Sequence, residues 1–283
     1  MPIDLRKTRA GHLLDKLQPY IVAPPYNMPH MNLAPFGLEI PVENQINPMA
    51  VRSELFLDLL QNMDAMTFGP EGMPMSRWVF YDASELPGGI FGFGIPSSEV
   101  SEEVMNSFGF SSSYEGLVPF SMYIAIPTPE PGTWFGHNLS SLNSVFPQLG
   151  LKGLGTVTKA LALEAFGTDL QVGATQWDSS ALFIHTRFGP LDLETAYTPA
   201  HSTIETLTYR VRCTEDTLGM ALGHPGAEVL RPEPEFWVHI DDEQKLKELQ
   251  RDIELGAAFC VPDAPRVLPE GKGFEVPVAK SDF

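Results

Sequence analysis

Between positions 145 and 156 the chain reads Val-Phe-Pro-Gln-Leu-Gly-Leu-Lys-Gly-Leu-Gly-Thr. The chemistry of that run is anion binding. Gly150, Gly153 and Gly155 let backbone N–H groups approach a ligand with no Cβ in the way. A helix starting here adds about half a positive charge from its N-terminal dipole. Lys152 adds a full charge, and Thr156 offers a hydroxyl in the first turn. A pyrophosphate suits that set. The run is not a P-loop, because GxxxxGK[ST] is absent. Nor is it a dinucleotide fingerprint, because Thr158 stands where the third glycine belongs. Taken alone, the glycines are equally well explained by a tight strand-to-helix turn.

The groups able to move protons near neutral pH are histidines. His137 precedes the glycine turn on a strand-like stretch that offers Asn138 but no Asp or Glu. It is either a base for an ammonium acceptor, directly or through water, or a strand residue bonded to backbone. His185 lies in a helical stretch, either as a proton donor or as a packed residue. His201, in Thr198-Pro-Ala-His201-Ser202, sits in a loop of the kind that rims pockets or simply meets solvent. No HExxH, CxxC or GxSxG motif occurs, so neither common zinc signature nor an α/β-hydrolase elbow is present, and no metal is expected. Cys213 and Cys260 are too few for a disulfide framework.

Several elements must position these groups. Residues 1–48 read as an arm, with three prolines across Ala23–His30 and enough apolar side chains to lie on the body or on a partner subunit. A helix is predicted over 49–63 from Val51, Leu55, Leu59 and Met63, with Phe56 and Leu60 beside them. Arg77–Tyr81 and Ile90–Ile95 read as two strands of a hairpin turning at Pro87-Gly88-Gly89. The polar stretch 97–116 reads as an insertion or loop, and 121–126 as a strand. Strand character returns over 133–145, ahead of the glycine turn. A helix follows from Thr156 to Phe166, then a strand at 170–175. A second helix is predicted from Asp178 to a left-handed cap at Gly189, with strands at 191–197 and 204–212. Beyond residue 213 a short strand at 236–240 precedes a helix capped by Asp241, with Glu243 and Lys247 paired at i, i+4.

The whole run resembles the acyl-CoA loop of the GNAT superfamily of N-acetyltransferases. There a strand ends in Val-x-Pro and enters Arg-Gly-Lys-Gly-x-Gly; Val145, Pro147, Lys152, Gly153 and Gly155 fall in register. Downstream, Asp178-Ser-Ser-Ala181-Leu-Phe-Ile184-His185-Thr-Arg-Phe188-Gly189 is similar to the family's Asn-x-x-Ala-x-x-Leu-Tyr-x-x-x-Gly helix. The order strand, loop, helix, strand, helix, strand agrees across 139–197. The resemblance implies an α/β (α+β) fold with a mixed, splayed central sheet flanked by helices. It also implies acetyl-CoA or another acyl-CoA as co-substrate. Backbone amides of Gly150, Leu151, Lys152, Gly153, Leu154, Gly155 and Thr156 would hold the diphosphate, with Val145 near the pantetheine arm. Asp178 falls at a cofactor-side position of the pattern and also reads as a helix cap. The resemblance further implies direct transfer to an amine, with a backbone N–H facing the oxyanion. His185 stands at the position of the family's tyrosine acid. Gly150 replaces the usual Arg or Gln, and Leu151 a common glycine.

The charge inventory narrows the partners. The 283 residues carry 18 Lys plus Arg against 36 Asp plus Glu, a formal charge of −18. Such a chain repels phosphate backbones and draws cationic small molecules or peptide amines. The expected acceptor is therefore a cationic amine, and nucleic acid is not an expected partner. No apolar run is long enough to span a bilayer, and a cytoplasmic setting is expected. The expected organisation is an arm (1–48), an acyl-CoA-binding body (49–212, with an insertion near 97–118) and a C-terminal extension (213–283). The arm offers one route to a homodimer. A non-catalytic acyl-CoA sensor is the alternative function, and a base-modifying acyltransferase the weaker one.

Overall fold

The structure is a computed structural model that describes residues 3–28, 31, 33–85, 88–110, 114–199, 201, 203–269 and 273–281. Pro29 and His30 of the arm, Pro87 of the expected hairpin turn, residues 111–113 of the polar stretch, and Ala200 and Ser202 beside His201 lie outside the described residues. The chain forms two compact units, residues 1–168 with 222–224, and residues 169–221 with 225–283.

The first unit holds α1 (Gly11–Leu14), β1 (Gln18–Val22), β2 (Gln45–Ile46), α2 (Glu54–Phe68), α3 (Arg77–Glu85), β3 (Gly89–Pro96), α4 (Glu102–Ser107), β4 (Leu117–Pro127), β5 (Thr133–Ser141) and α5 (Leu154–Ala165). Its strands run β5-β4-β3-β1-β2, all antiparallel except the β1–β2 pair, so the sheet is mixed. Nine consecutive residues of β4 are buried, as a central strand covered on both faces demands. The covering helices lie on opposite faces. On one, Thr158 of α5 bonds Ser121 of β4 through its hydroxyl at 2.6 Å. On the other, Thr67 of α2 reaches Ser140 of β5, the partner of Met122. Since Ser121 and Met122 are consecutive, they point to opposite sides. The Tyr20 hydroxyl of β1 donates to the Ser121 carbonyl at 2.8 Å, and its ring meets Phe56 of α2 edge-on.

The second unit holds β6 (Leu170–Gln176), α6 (Leu182–His185), β7 (Leu191–Thr195), β8 (Thr206–Arg212), α7 (Glu215–Leu222), β9 (Phe236–His239), α8 (Glu243–Glu254), β10 (Phe259–Val261), β11 (Arg266–Val267) and β12 (Phe274–Lys280). Its strands run β6-β8-β7-β10-β12, with β9 and β11 also on β12, and every pairing is antiparallel.

The structure corrects several local readings. Arg77–Tyr81 is the start of α3, not a strand, so no hairpin forms. Phe80, Ala83 and Ser84 are buried while Trp78 is exposed, which is helical spacing on a half-buried face. The helix expected at 49–63 begins at Glu54; Val51 and Leu55 face solvent, and Phe56, Leu60 and Met63 carry the core stripe. The polar stretch 97–116 contains α4, capped by the Ser101 hydroxyl, with Val104 and Met105 buried. The strand expected at 133–145 stops at Ser141, whose hydroxyl bonds the Asn143 side chain at 2.8 Å as the chain turns. The helix expected from Asp178 shrinks to Leu182–His185 and one 3-10 turn. The Ser179 hydroxyl accepts the Ala181 N–H, a local bond that competes with helix, so Asp178 caps nothing. Gly189 has a positive φ of 127° with ψ near extended, a glycine conformation but not the left-handed cap. Asp242, not Asp241, caps α8, accepting the Lys245 N–H. The Glu243–Lys247 pair does form, at 2.6 Å.

Gly92 is the tightest position in the first sheet. A Cβ there would lie 2.0 Å from the Ser121 carbonyl and 2.5 Å from the Tyr20 hydroxyl. Gly92→Ala is expected to cost about 1–3 kcal/mol through overpacking, read as a lower urea midpoint at unchanged m-value.

Candidate functional site

The segment from β5 into α5 carries the unusual backbone of the first unit. In the β4–β5 pairing Ile124 faces Asn138 and Ala125 faces Gly136, so His137 is the extra residue of a β-bulge. A bulge takes one residue out of the ladder and re-aims it. His137 is exposed, and its ring sits edge-on to Phe135. Although it reaches solvent, the chain packed around it holds its pKa below the ordinary value of 6.5. It is therefore neutral, and able to accept a proton, at physiological pH.

After β5 the chain turns through 142–145 and one 3-10 turn at Pro147–Leu149. Gly150 (φ 67°) and Gly153 (φ 89°) are both left-handed, and a Cβ on either would meet open space. Leu151 and Leu154 point the other way and are buried, with the Leu154 N–H donating to the Leu151 carbonyl at 3.1 Å. Two inward leucines thus pin the turn, and the Gly150 N–H closes it on the Pro147 carbonyl at 3.2 Å. Leu151 anchors this turn. Gly153 is the N-cap of α5 and supplies no capping side chain. The N–H groups of Gly153 and Gly155 donate to no backbone carbonyl among the described residues. Lys152 is exposed beside them and forms no ion pair among the described residues. Gly155 and Thr156 are both buried. Val145 is partly exposed in the turn, not on a strand.

A buried carboxylate lies under the bulged strand, and no local sequence signal marks it. Asp64 of α2 is fully buried. Its Oδ2 accepts the Met75 N–H at 2.6 Å, and its Oδ1 accepts from Asn138 Nδ2 at 3.3 Å. The Ser140 hydroxyl in turn donates to Asn138 Oδ1 at 3.0 Å. Burial pushes the Asp64 pKa up, opposed by these two hydrogen bonds. Asn138, next to the bulge, is therefore held from both ends.

In the second unit His185 is the last residue of α6 and is buried. Its ring lies 5.3 Å from that of Tyr209 on β8. The Tyr209 hydroxyl accepts from Gln171 Nε2 at 3.4 Å, and Gly173 makes room for it, since a Cβ there would come within 2.5 Å. Burial drives the Tyr209 pKa far upward. Asp178 lies in the turn after β6, outside this cluster. His201 Nδ1 accepts the Thr203 N–H and lies 3.3 Å from the Thr206 hydroxyl, so it braces its own loop. Among the described residues no three His, Cys, Asp or Glu side chains gather to hold a metal, and no helix is long and apolar enough to cross a membrane.

No protein-family model matches the chain, and no curated protein matches it. Solved structures overlap it in part. One is the ribosomal-protein-S18-alanine N-acetyltransferase from Escherichia coli, 12% identical, with TM-score 0.37, covering 56% of this chain and 88% of that one. A protein from Desulfovibrio desulfuricans assigned to the GNAT family of acetyltransferases is 13% identical, with TM-score 0.39, over 56% of this chain and 92% of its own. The acyl-homoserine-lactone (AHL) synthase LasI is 11% identical, with TM-score 0.34, over 64% and 92%.

Asp64 gives the site a readable pH signature. Its pKa is raised in the folded chain, so the folded state holds the proton more tightly than the unfolded one. Stability is then full below the ordinary 3.8 and falls as pH rises through the folded value. Asp64→Asn removes that loss. The difference in unfolding free energy between wild type and Asp64→Asn should shift in favour of the variant as pH rises from acid to neutral. A flat difference would show that Asp64 titrates as it does in the unfolded chain.

Proposed function

We propose that this chain transfers an acyl group from acyl-CoA to an amine. The observation that carries the reading is the α5 entrance: two outward left-handed glycines and an uncapped helix N-terminus, directly downstream of a strand bulged at His137. Bare amides with a helix dipole behind them are a site for a diphosphate. A bulge leaves a backbone N–H outside the ladder, which is what an oxyanion needs. The sequence resemblance to the GNAT acyl-CoA loop supplies the identity of the anion.

In this reading the Gly150–Thr156 backbone binds the diphosphate and Lys152 adds its charge. An amine nitrogen attacks the thioester carbonyl; the C–N bond forms and the C–S bond breaks. Neutral His137 takes the ammonium proton, directly or through water, and the leaving thiolate sulfur takes a proton from solvent. Asp64 and Asn138 hold the bulged strand in place. The net charge of −18 favours a cationic acceptor, either a polyamine-like small molecule or a peptide or protein amine. The acetyl group is the expected acyl chain.

A second reading is favoured by one observation. His185 is buried, and Gly150 lacks the side chain that elsewhere in the family reaches phosphate. A chain that binds acyl-CoA without turning it over would keep the glycine turn and need no acid.

Free-thiol release from acetyl-CoA, followed over a panel of amines, separates the two. Transfer predicts amine-dependent thiol release. It also predicts that His137→Gln lowers the rate about 10²-fold, in the range of general-base contributions. Saturable acetyl-CoA binding with no thiol release from any amine would establish the non-catalytic reading.

A further inference from the structure

The second unit contains a cavity of about 850 Å³ that the acyl-transfer reading does not use. Cys260 of β10 sits on its floor, paired in the sheet with Asp192 of β7 and Ala279 of β12. Cys260 lines the cavity and is nevertheless only 1% exposed. The walls are the Phe188–Pro190 turn, the start of α7 and residues 228–232.

The last of these walls is part of a segment, 225–234, that the backbone does not hold. Among the described residues no N–H or carbonyl of 225–234 bonds another backbone group. Pro225, Pro232 and Pro234 have no N–H to give, so the segment is a poor ladder partner for any strand. None of its residues is buried, and Leu230 is 95% exposed. Val229 faces inward, since a Cβ on Gly189 would meet its Cγ1 at 3.4 Å.

One side chain does the holding. The Arg231 guanidinium donates to the Thr186 carbonyl at 2.7 Å and to the Pro262 carbonyl, and it pairs with Asp263 at 3.6 Å. It also lies 3.8 Å from Met220 Sδ. Among the described residues these are the only hydrogen bonds and the only ion pair that 225–234 makes. Thr186 follows α6 and Pro262 follows β10, so one guanidinium fastens the segment to two elements of the second unit. Gly226 (φ 86°), with open space where a Cβ would be, is a joint near its start. The next backbone bond runs from the Glu235 N–H to the Val278 carbonyl at 2.9 Å, just before β9. Local opening takes the least-bonded stretch first, and here that stretch hangs on one residue.

We propose that 225–234 is a swinging wall of the cavity and that Arg231 is its latch. When the Arg231 contacts break, the segment swings out between Gly226 and Glu235. Val229 then leaves the Phe188–Pro190 turn, and Cys260 is uncovered while the sheet stays folded. The latch controls access to the cavity. It is independent of the acyl-transfer reading and stands if that reading fails.

Iodoacetamide alkylation of the full chain tests it, read at Cys260 by peptide mass spectrometry over increasing urea below the unfolding transition. A swinging wall exposes little surface compared with unfolding, so alkylation of wild-type Cys260 should stay nearly flat in urea. Arg231→Gln should raise the rate about tenfold or more and keep the flat profile. Asp263→Ala, which removes only the exposed acceptor, should raise it less. Should Arg231→Gln lose its fold, the wild-type urea profile and Asp263→Ala decide the matter. Cys260 rates equal to wild type in the folded variants, or a rate that rises with urea along the global unfolding curve, overturn the proposal.

Discussion

The proposed acyl-CoA site depends on two backbone N–H groups at the entrance to α5, those of Gly153 and Gly155, which donate to no backbone carbonyl among the described residues. Such groups are costly unless water or a ligand satisfies them. Proteins usually spend a Ser, Thr, Asp or Asn on the N-cap for that purpose. Here the cap is Gly153, and the turn before it holds Gly150 in the same left-handed region. The leucines between them are buried, so the turn does not collapse onto its own amides. The result is a preformed turn, proposed here as the anion cradle, whose shape is set by hydrophobic anchoring, not by side-chain hydrogen bonds.

The cradle has rigid support. α5 is buried along nearly its whole length and packs on the central strands of the first sheet. Ser121 joins three elements at one point, since its hydroxyl bonds Thr158 of α5 and its carbonyl accepts the Tyr20 hydroxyl of β1. On the opposite face Asp64, Asn138 and Ser140 fix β5 at its bulge. A charged group held in apolar surroundings costs stability, and it persists where hydrogen bonds hold it in place. Stability and site geometry are therefore linked through the same few residues.

The glycine turn and α5 were legible in the sequence because glycine spacing and an apolar helical period speak for themselves. The strands at 121–126, 170–175 and 204–212 were legible from apolar, β-branched and alternating residues. Arg77–Tyr81 was not, because its aromatic and β-branched residues carry strand propensity while burial of Phe80, Ala83 and Ser84 decides for helix. The segment 178–189 failed the other way: Ser179 offers a competing local bond and the helix starts late. Asp64 escaped because its partner Asn138 is 74 residues away, and only tertiary packing joins them. Tyr209 and Gln171, beside His185, were missed on the same ground; the clearance at Gly173 has no signature within its own strand.

The most direct measurement is an amide-resolved nuclear magnetic resonance titration with coenzyme A. The account predicts saturable shifts of the Gly153 and Gly155 amides, lost when Gly153→Val fills the outward face of the turn. Coenzyme A that leaves those two amides unmoved, or that shifts them equally in the valine variant, would contradict it.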